Sequence, residues 1–125
     1  MIQGLRTVIY QVDDLQAAKN WYSSVLGFAP YFDEPFYVGF NVGGFELGLD
    51  PDDENVAKGN NAVAYWGVDN IQNATQNLQQ LGAETIAEAT NVGEGIFVAQ
   101  FKDPFGNVIG IIENPHFKIK EQFYY

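Results

Sequence analysis

A chain of 125 residues, 46% of them hydrophobic, is long enough to bury a core as one domain, and the absence of cysteine excludes disulfides, thiolate metal sites and cysteine nucleophiles. Six basic residues against 16 acidic ones give a formal charge of −10, which argues against a nucleic-acid partner, because phosphate backbones bind basic surfaces. The opening "MIQGLRTVIYQVDD" has no basic segment followed by an apolar one, and no apolar run approaches the roughly 20 residues of a membrane span, so a soluble cytoplasmic protein with no membrane partner is expected.

The first apolar run ends at Val12-Asp13 and leads into a helical pattern. Asp13 or Asp14 can accept hydrogen bonds from the free amides of the first turn, and Leu15, Ala18, Tyr22 and Leu26 form one apolar stripe. Gly27 suits the left-handed position after the last turn. Strand-like runs follow near 28–33, 36–42 and 44–50, the last two hinged at "NVGG". The polar, acidic stretch "DPDDENVAKGNN" (50–61) reads as a linker, and its spacing does not match a helix-flanked calcium loop.

The plan then repeats. "VAYWGVDNIQNATQNLQQLGAE" (63–84) matches "TVIYQVDDLQAAKNWYSSVLGF" (7–28), with Val68-Asp69 in place of Val12-Asp13 and Leu81-Gly82 in place of Leu26-Gly27. Asp69 or Asn70 caps this helix, and Ile71, Ala74, Leu78 and Leu81 are its apolar stripe. Strands are expected near 84–89, 95–102 and 107–113, with "KDPFGN" as the turn before the last. Each half is therefore β-α-β-β-β. The expected division is a first module over 1–50, a linker over 51–61, a second module over 62–115 and a tail over 116–125, all within one domain.

"VDDLQAAKNWYSSVLGF" (12–28) and the closing turn in "DPFGNVIGIIENP" (103–115), set in two tandem modules, resemble the vicinal oxygen chelate superfamily. That group includes glyoxalases, extradiol dioxygenases and bleomycin-resistance proteins. The resemblance implies an α+β fold in which tandem βαβββ modules form a curved mixed sheet, a cup with the helices on its outside, often completed by a second subunit as a homodimer. In metal-dependent members a divalent ion on the inner face polarises substrate oxygens as a Lewis acid.

Carried over position by position, the family's metal ligands fall on Thr7, on Val63, on Gly110 and near Glu46 to Gly48. Valine cannot ligate, glycine offers only backbone and a threonine hydroxyl is a poor ligand, so no metal and no cofactor are expected. Glu113 and the sole histidine, His116, are close in sequence, but Glu113 points away from the face of Gly110 and reads as part of a polar exit segment. By strand alternation, Thr7, Ile9 and Gln11, then Val63 and Tyr65, then Val108, Gly110 and Ile112 line the inner face, with Glu46 as a further polar point. Gly110 is the odd member, since a glycine inside a strand marks a close approach by something else. It leaves room either for a ligand or for a large neighbour such as Tyr65, and the inner face is accordingly either a pocket or a filled core. Phe36, Tyr37, Phe40, Phe97 and Phe101 add strand aromatics that serve the core or stack on a ligand. The tail ends in Phe123, Tyr124 and Tyr125 and is expected to pack on the body or on a second subunit.

Three functions fit this pattern. The first is a metal-independent protein that binds a small molecule, cationic or aromatic, as bleomycin-resistance proteins do. The second is a lyase, isomerase or dioxygenase-related enzyme with an atypical site, using Glu46 as a general base and Tyr65 as a donor. The third is a structural or regulatory partner whose cup is filled.

Overall fold

The computed structural model describes residues 1–52, 57 and 59–118. The element order is β1 (Ile2–Val12), α1 (Leu15–Leu26), β2 (Phe32–Glu34), β3 (Tyr37–Val42), β4 (Phe45–Pro51), β5 (Val63–Val68), α2 (Ile71–Gln80), β6 (Glu84–Gly93), β7 (Ile96–Lys102) and β8 (Val108–Glu113). This is the repeated β-α-β-β-β order that the sequence predicts. The fold is α+β with mixed strand pairing. Contacts divide the described residues into two compact units, 7–62 and 1–6 with 63–118, so the first half of the eleven-residue β1 groups with the second module.

In the 7–62 unit the strands are ordered β2-β3-β4-β1, with β4 parallel to β1 and the other pairs antiparallel. The β3-β4 hairpin turns on Gly43 and Gly44, at φ 65° and 97°, the positive backbone angles that a tight two-residue hairpin turn requires. The Asn41 side chain accepts a hydrogen bond from the Gly44 amide at 2.8 Å and fixes that turn. One face of these strands packs under α1. Val38, Phe40 and Leu49 are fully buried there against Leu15, Ala18, Tyr22, Leu26 and Leu47. The helix starts at Asp14, whose carboxylate accepts from the Ala17 amide at 3.0 Å, and ends at Gly27 in the left-handed region.

In the other unit the order is β1-β5-β8-β7-β6, with β8 parallel to β5 and antiparallel to β7. Val68, Ile71, Ala74, Leu78, Ala99, Phe101 and Ile111 form the core beneath α2. Leu81, expected on the apolar stripe, is instead 71% exposed, because the helix has already ended at Gln80 and the chain turns away at Gly82. The N-terminus of α2 is capped twice. The Asn70 side chain accepts from the Asn73 amide at 3.0 Å, and the Glu113 carboxylate accepts from the Ile71 amide at 2.9 Å. Glu113 thus points to the helix side, as alternation from Gly110 requires, and ties β8 to α2. Strand β6 runs to Gly93, past the predicted end at 89, and is solvent-exposed along nearly its whole length. Its later residues lack apolar periodicity and are held by pairing with β7 through several register shifts.

The closing turn before β8 is held by one carboxylate. Asp103 accepts from the Phe105 amide at 2.8 Å and the Asn107 amide at 2.9 Å, while Gly106 takes φ 91°. Gly110 follows on β8, paired with Tyr65 on β5. A Cβ on Gly110 would lie 2.5 Å from Tyr65 Cδ2 and 2.7 Å from Cε2, so the tyrosine ring occupies the space that a side chain would fill. Of the two sequence-level alternatives for this glycine, the large neighbour is the one found. The predicted packing of Phe123, Tyr124 and Tyr125, and most of the expected linker, lie outside the described residues.

Two stability changes follow. Glu113→Ala removes an acceptor from the first turn of α2 and lowers unfolding free energy by about 1 kcal/mol in urea titrations, while Glu113→Gln retains most of it. Gly110→Ala displaces the Tyr65 ring and costs about 1–3 kcal/mol, and the same substitution costs less in a Tyr65→Leu background, a coupling that a double-mutant cycle reads directly.

Candidate functional site

The face of β1, β3 and β4 opposite α1 carries the polar chemistry of the 7–62 unit. Strand register sets Thr7 beside Glu46, Ile9 beside Gly48 and Gln11 beside Asp50, and it sets Gly39 opposite Gly48. Their neighbours Leu47 and Leu49 belong to the core under α1, so Thr7, Ile9, Gln11, Glu46 and Gly48 share the other face. Thr7 is buried.

Glu46 is held on this face by tyrosines. The Tyr37 hydroxyl donates to Glu46 Oε2 at 2.8 Å, and Tyr31 donates a second side-chain hydrogen bond to the carboxylate. The ring of Tyr37 crosses directly over Gly48, where a Cβ would collide with its phenol oxygen, and a Cβ on Gly39 would lie 2.6 Å from Glu46 Oε2. Two facing glycines thus form a floor on which a tyrosine and a glutamate lie flat. Burial pushes the Glu46 carboxyl above the usual carboxylate range, opposed by its tyrosine hydrogen bonds. Burial, together with the neighbouring Glu46 charge, pushes the Tyr37 phenol far above its ordinary value, so Tyr37 stays protonated and donating. Asp50 is also raised, by burial and then by Asp52. Gln11 pairs through its backbone with the Asn61 side chain, which accepts from the Gln11 amide at 2.9 Å and donates to its carbonyl at 3.3 Å.

In the other unit, Tyr65 and Ile112 are buried, Val63 is half-buried and Val108 is exposed. The Gln100 side-chain amide donates to the Tyr65 hydroxyl at 2.6 Å, which anchors the ring over Gly110. Of the other strand aromatics, Phe40 and Phe101 are wholly core, Phe97 packs against the core and Phe36 is 65% exposed. Among the described residues of the 7–62 unit, a groove of about 350 Å³ lies beside Lys19 and Asp33, and another of about 730 Å³ is bordered by Tyr10, Gln11 and Trp21. Gln11 is the expected site residue that lines the larger one.

Register also resolves the first-module position left open between Glu46 and Gly48. In the second module the closing-strand position, Gly110, pairs with the residue two beyond Val63. The residue two beyond Thr7 is Ile9, and its partner is Gly48. By the same offset, the positions that the superfamily resemblance implies for a metal-using member fall on Thr7 and Gly48 in one module and on Val63 and Gly110 in the other. This donor set does not fit a divalent ion, which needs convergent carboxylates or imidazoles. Among the described residues, no three His, Cys, Asp or Glu side chains gather in a metal-binding group. Tyr31 and Gly39 are the site members that sequence reasoning missed, and Gly48 entered it only as one end of an open range. The signal for the two glycines was their symmetric placement on each side of the "NVGG" turn.

Among solved structures, the chain is similar to Streptomyces coelicolor methylmalonyl-CoA epimerase in complex with 2-nitronate-propionyl-CoA, at TM-score 0.77 and 14% identity over 92% of this chain and 99% of that one. It is also similar to a glyoxalase/bleomycin resistance protein/dioxygenase superfamily member from Vibrio splendidus 12B01, at TM-score 0.67 and 17% identity over 88% and 99%. A third likeness is to an NAD-dependent benzaldehyde dehydrogenase structure from Legionella pneumophila, at TM-score 0.66 and 16% identity over 85% and 96%. At such identities these show the fold alone. No curated protein matches the sequence. The family model of the Glyoxalase/Bleomycin resistance protein/Dioxygenase superfamily matches residues 4–111, and the chain belongs to that superfamily.

Proposed function

We propose that this protein binds a small organic ligand, cationic or aromatic, without a metal ion or other cofactor. The observation that carries the reading is Glu46, a partly buried carboxylate clasped by Tyr37 and Tyr31 on a glycine floor. A carboxylate edged by aromatic rings attracts an organic cation through its charge and through the negative faces of the rings. The excess of acidic residues adds a favourable long-range potential. In this reading the ligand-contacting residues are Thr7, Ile9, Gln11, Glu46, Val63, Tyr65, Val108, Gly110 and Ile112. The protein works as a cytoplasmic homodimer. Among the described residues no helix is long and apolar enough to cross a membrane.

A second reading is an enzyme of the lyase, isomerase or dioxygenase-related kind. The raised pKa of Glu46 favours it, since burial that raises a carboxylate's pKa makes it a stronger proton acceptor. Tyr65, the donor expected from sequence, accepts a hydrogen bond from Gln100, and the hydrogen-bond partners described for Glu46 are Tyr37 and Tyr31.

Thermal-shift screening against aromatic amines, quaternary ammonium compounds and cationic glycopeptides tests the first reading. A ligand present at 100 times its Kd stabilises the fold by about 2.7 kcal/mol, and Glu46→Gln abolishes the gain. If no compound in the panel shifts the transition, the binding reading is overturned. Elemental analysis of protein purified without chelator shows no stoichiometric divalent ion, and finding one would favour the enzyme.

The ionisation of Glu46 sets a pH dependence. Its folded pKa lies above its unfolded value, so the native state binds more protons between the two. The Glu46 contribution to stability is therefore fully present below the ordinary carboxylate range and is lost as pH rises through the folded pKa of Glu46. Urea unfolding at a series of pH values shows a decline in this window that is shallower in Glu46→Gln than in the wild type, and Asp50, also raised, contributes in the same direction. Affinity for a cation runs the opposite way and strengthens as Glu46 loses its proton.

A further inference from the structure

The chain contains a single arginine, Arg6, on β1. Its guanidinium lies where the side chain of residue 67 would be: a Cβ on Gly67 would come within 2.5 Å of Arg6 Nε and 2.7 Å of Cζ. On its other side the guanidinium carbon sits 3.8 Å from the centroid of the Phe117 ring. The group is thus a flat plate between a strand backbone and a phenyl ring.

The edges of that plate are only partly used. Nη1 donates to the Leu5 carbonyl at 3.1 Å and Nη2 donates to Gln3 Oε1 at 3.3 Å. Two of its five N–H groups are so engaged, and Nε–H has no acceptor among the described residues. No carboxylate pairs with it among those residues either, although the chain has 16 acidic side chains and the one ion pair described joins Lys19 to Asp33. Burial lowers the Arg6 pKa.

We propose that Arg6 is an anion-binding residue that takes the carboxylate of a small organic acid along its Nε edge. This goes beyond the cation reading and stands on the surroundings of Arg6 alone. A guanidinium presents parallel N–H groups that match the two oxygens of a carboxylate. The Gly67 backbone and the Phe117 ring hold the guanidinium flat between them, which keeps its edge N–H groups in one plane and suits a planar carboxylate. The charge of −10 further favours a monoanion over a dianionic phosphate.

Having one arginine makes the test site-specific, since the folded protein gives one arginine Nε–Hε NMR signal. Titrated with benzoate, that signal shifts saturably, and inorganic phosphate at equal ionic strength moves it much less. Arg6→Gln weakens benzoate binding by at least about tenfold, the expected loss for a charge-assisted hydrogen-bonded pair. Arg6→Lys, which keeps the charge without the planar fork, falls between the two. Lys102→Gln, an exposed charge change on β7, leaves binding unchanged. The proposal is overturned if benzoate leaves the Nε–Hε signal in place, if phosphate binds as well as benzoate, or if Arg6→Gln binds benzoate as the wild type does. The wild-type titration stands even if the substituted chains do not fold.

Discussion

The absence of a Cβ at a few strand positions is the constraint on which the rest of this structure depends. Gly39 and Gly48 face each other across the β3-β4 hairpin, and Gly67 and Gly110 lie on the neighbouring strands β5 and β8. At three of these sites a long side chain lies flat against backbone: Tyr37 over Gly48, Arg6 over Gly67 and Tyr65 over Gly110. Ordinary side chains there would force those groups to shift. The Glu46–Tyr37 pair would then lose its short contact, and Tyr65 its position beside Gln100.

Both modules use the same device. In each, the closing strand runs parallel to the opening strand and carries glycine at the corresponding register position, and in each a tyrosine covers it. The tyrosines come from different places. Tyr37 belongs to the antiparallel neighbour β3, whereas Tyr65 sits on the opening strand β5 itself. The two modules therefore reach a similar surface by different local routes. One ends in a carboxylate with a raised pKa, the other in a neutral amide-phenol pair. That difference in polarity is why Glu46 has the stronger claim to ligand chemistry.

Much of the fold was legible because its signals are local. The helix ends follow from Asp14 and Asn70 as caps and from the glycines after the last turns, and the doubled Val-Asp and Leu-Gly landmarks exposed the repeat. Sequence left Asp13 and Asp14 tied, and the Asp14 bond to the Ala17 amide decides between them. The site was less legible because its geometry is non-local. Whether Glu46 or Gly48 corresponds to Gly110 depends on the phase of β4 against β1, two strands joined by a helix and a hairpin, and alternation within one strand carries no such phase. Tyr31 was invisible for a related reason: it lies outside the strands and reaches Glu46 only because its amide bonds to the Gly39 carbonyl at 3.0 Å. Strand β6 was read too short because pairing to β7, and not its own apolar pattern, extends it.

The ring over Gly110 also limits the substitutions open to this chain. A carboxylate introduced at that one position would drive its side chain into Tyr65, whose hydroxyl is fixed by Gln100. At Gly48 the same change meets Tyr37. A side chain at either position is thus accommodated only if a second residue gives way first, so the covering rings are easier to exchange than the gaps beneath them are to fill.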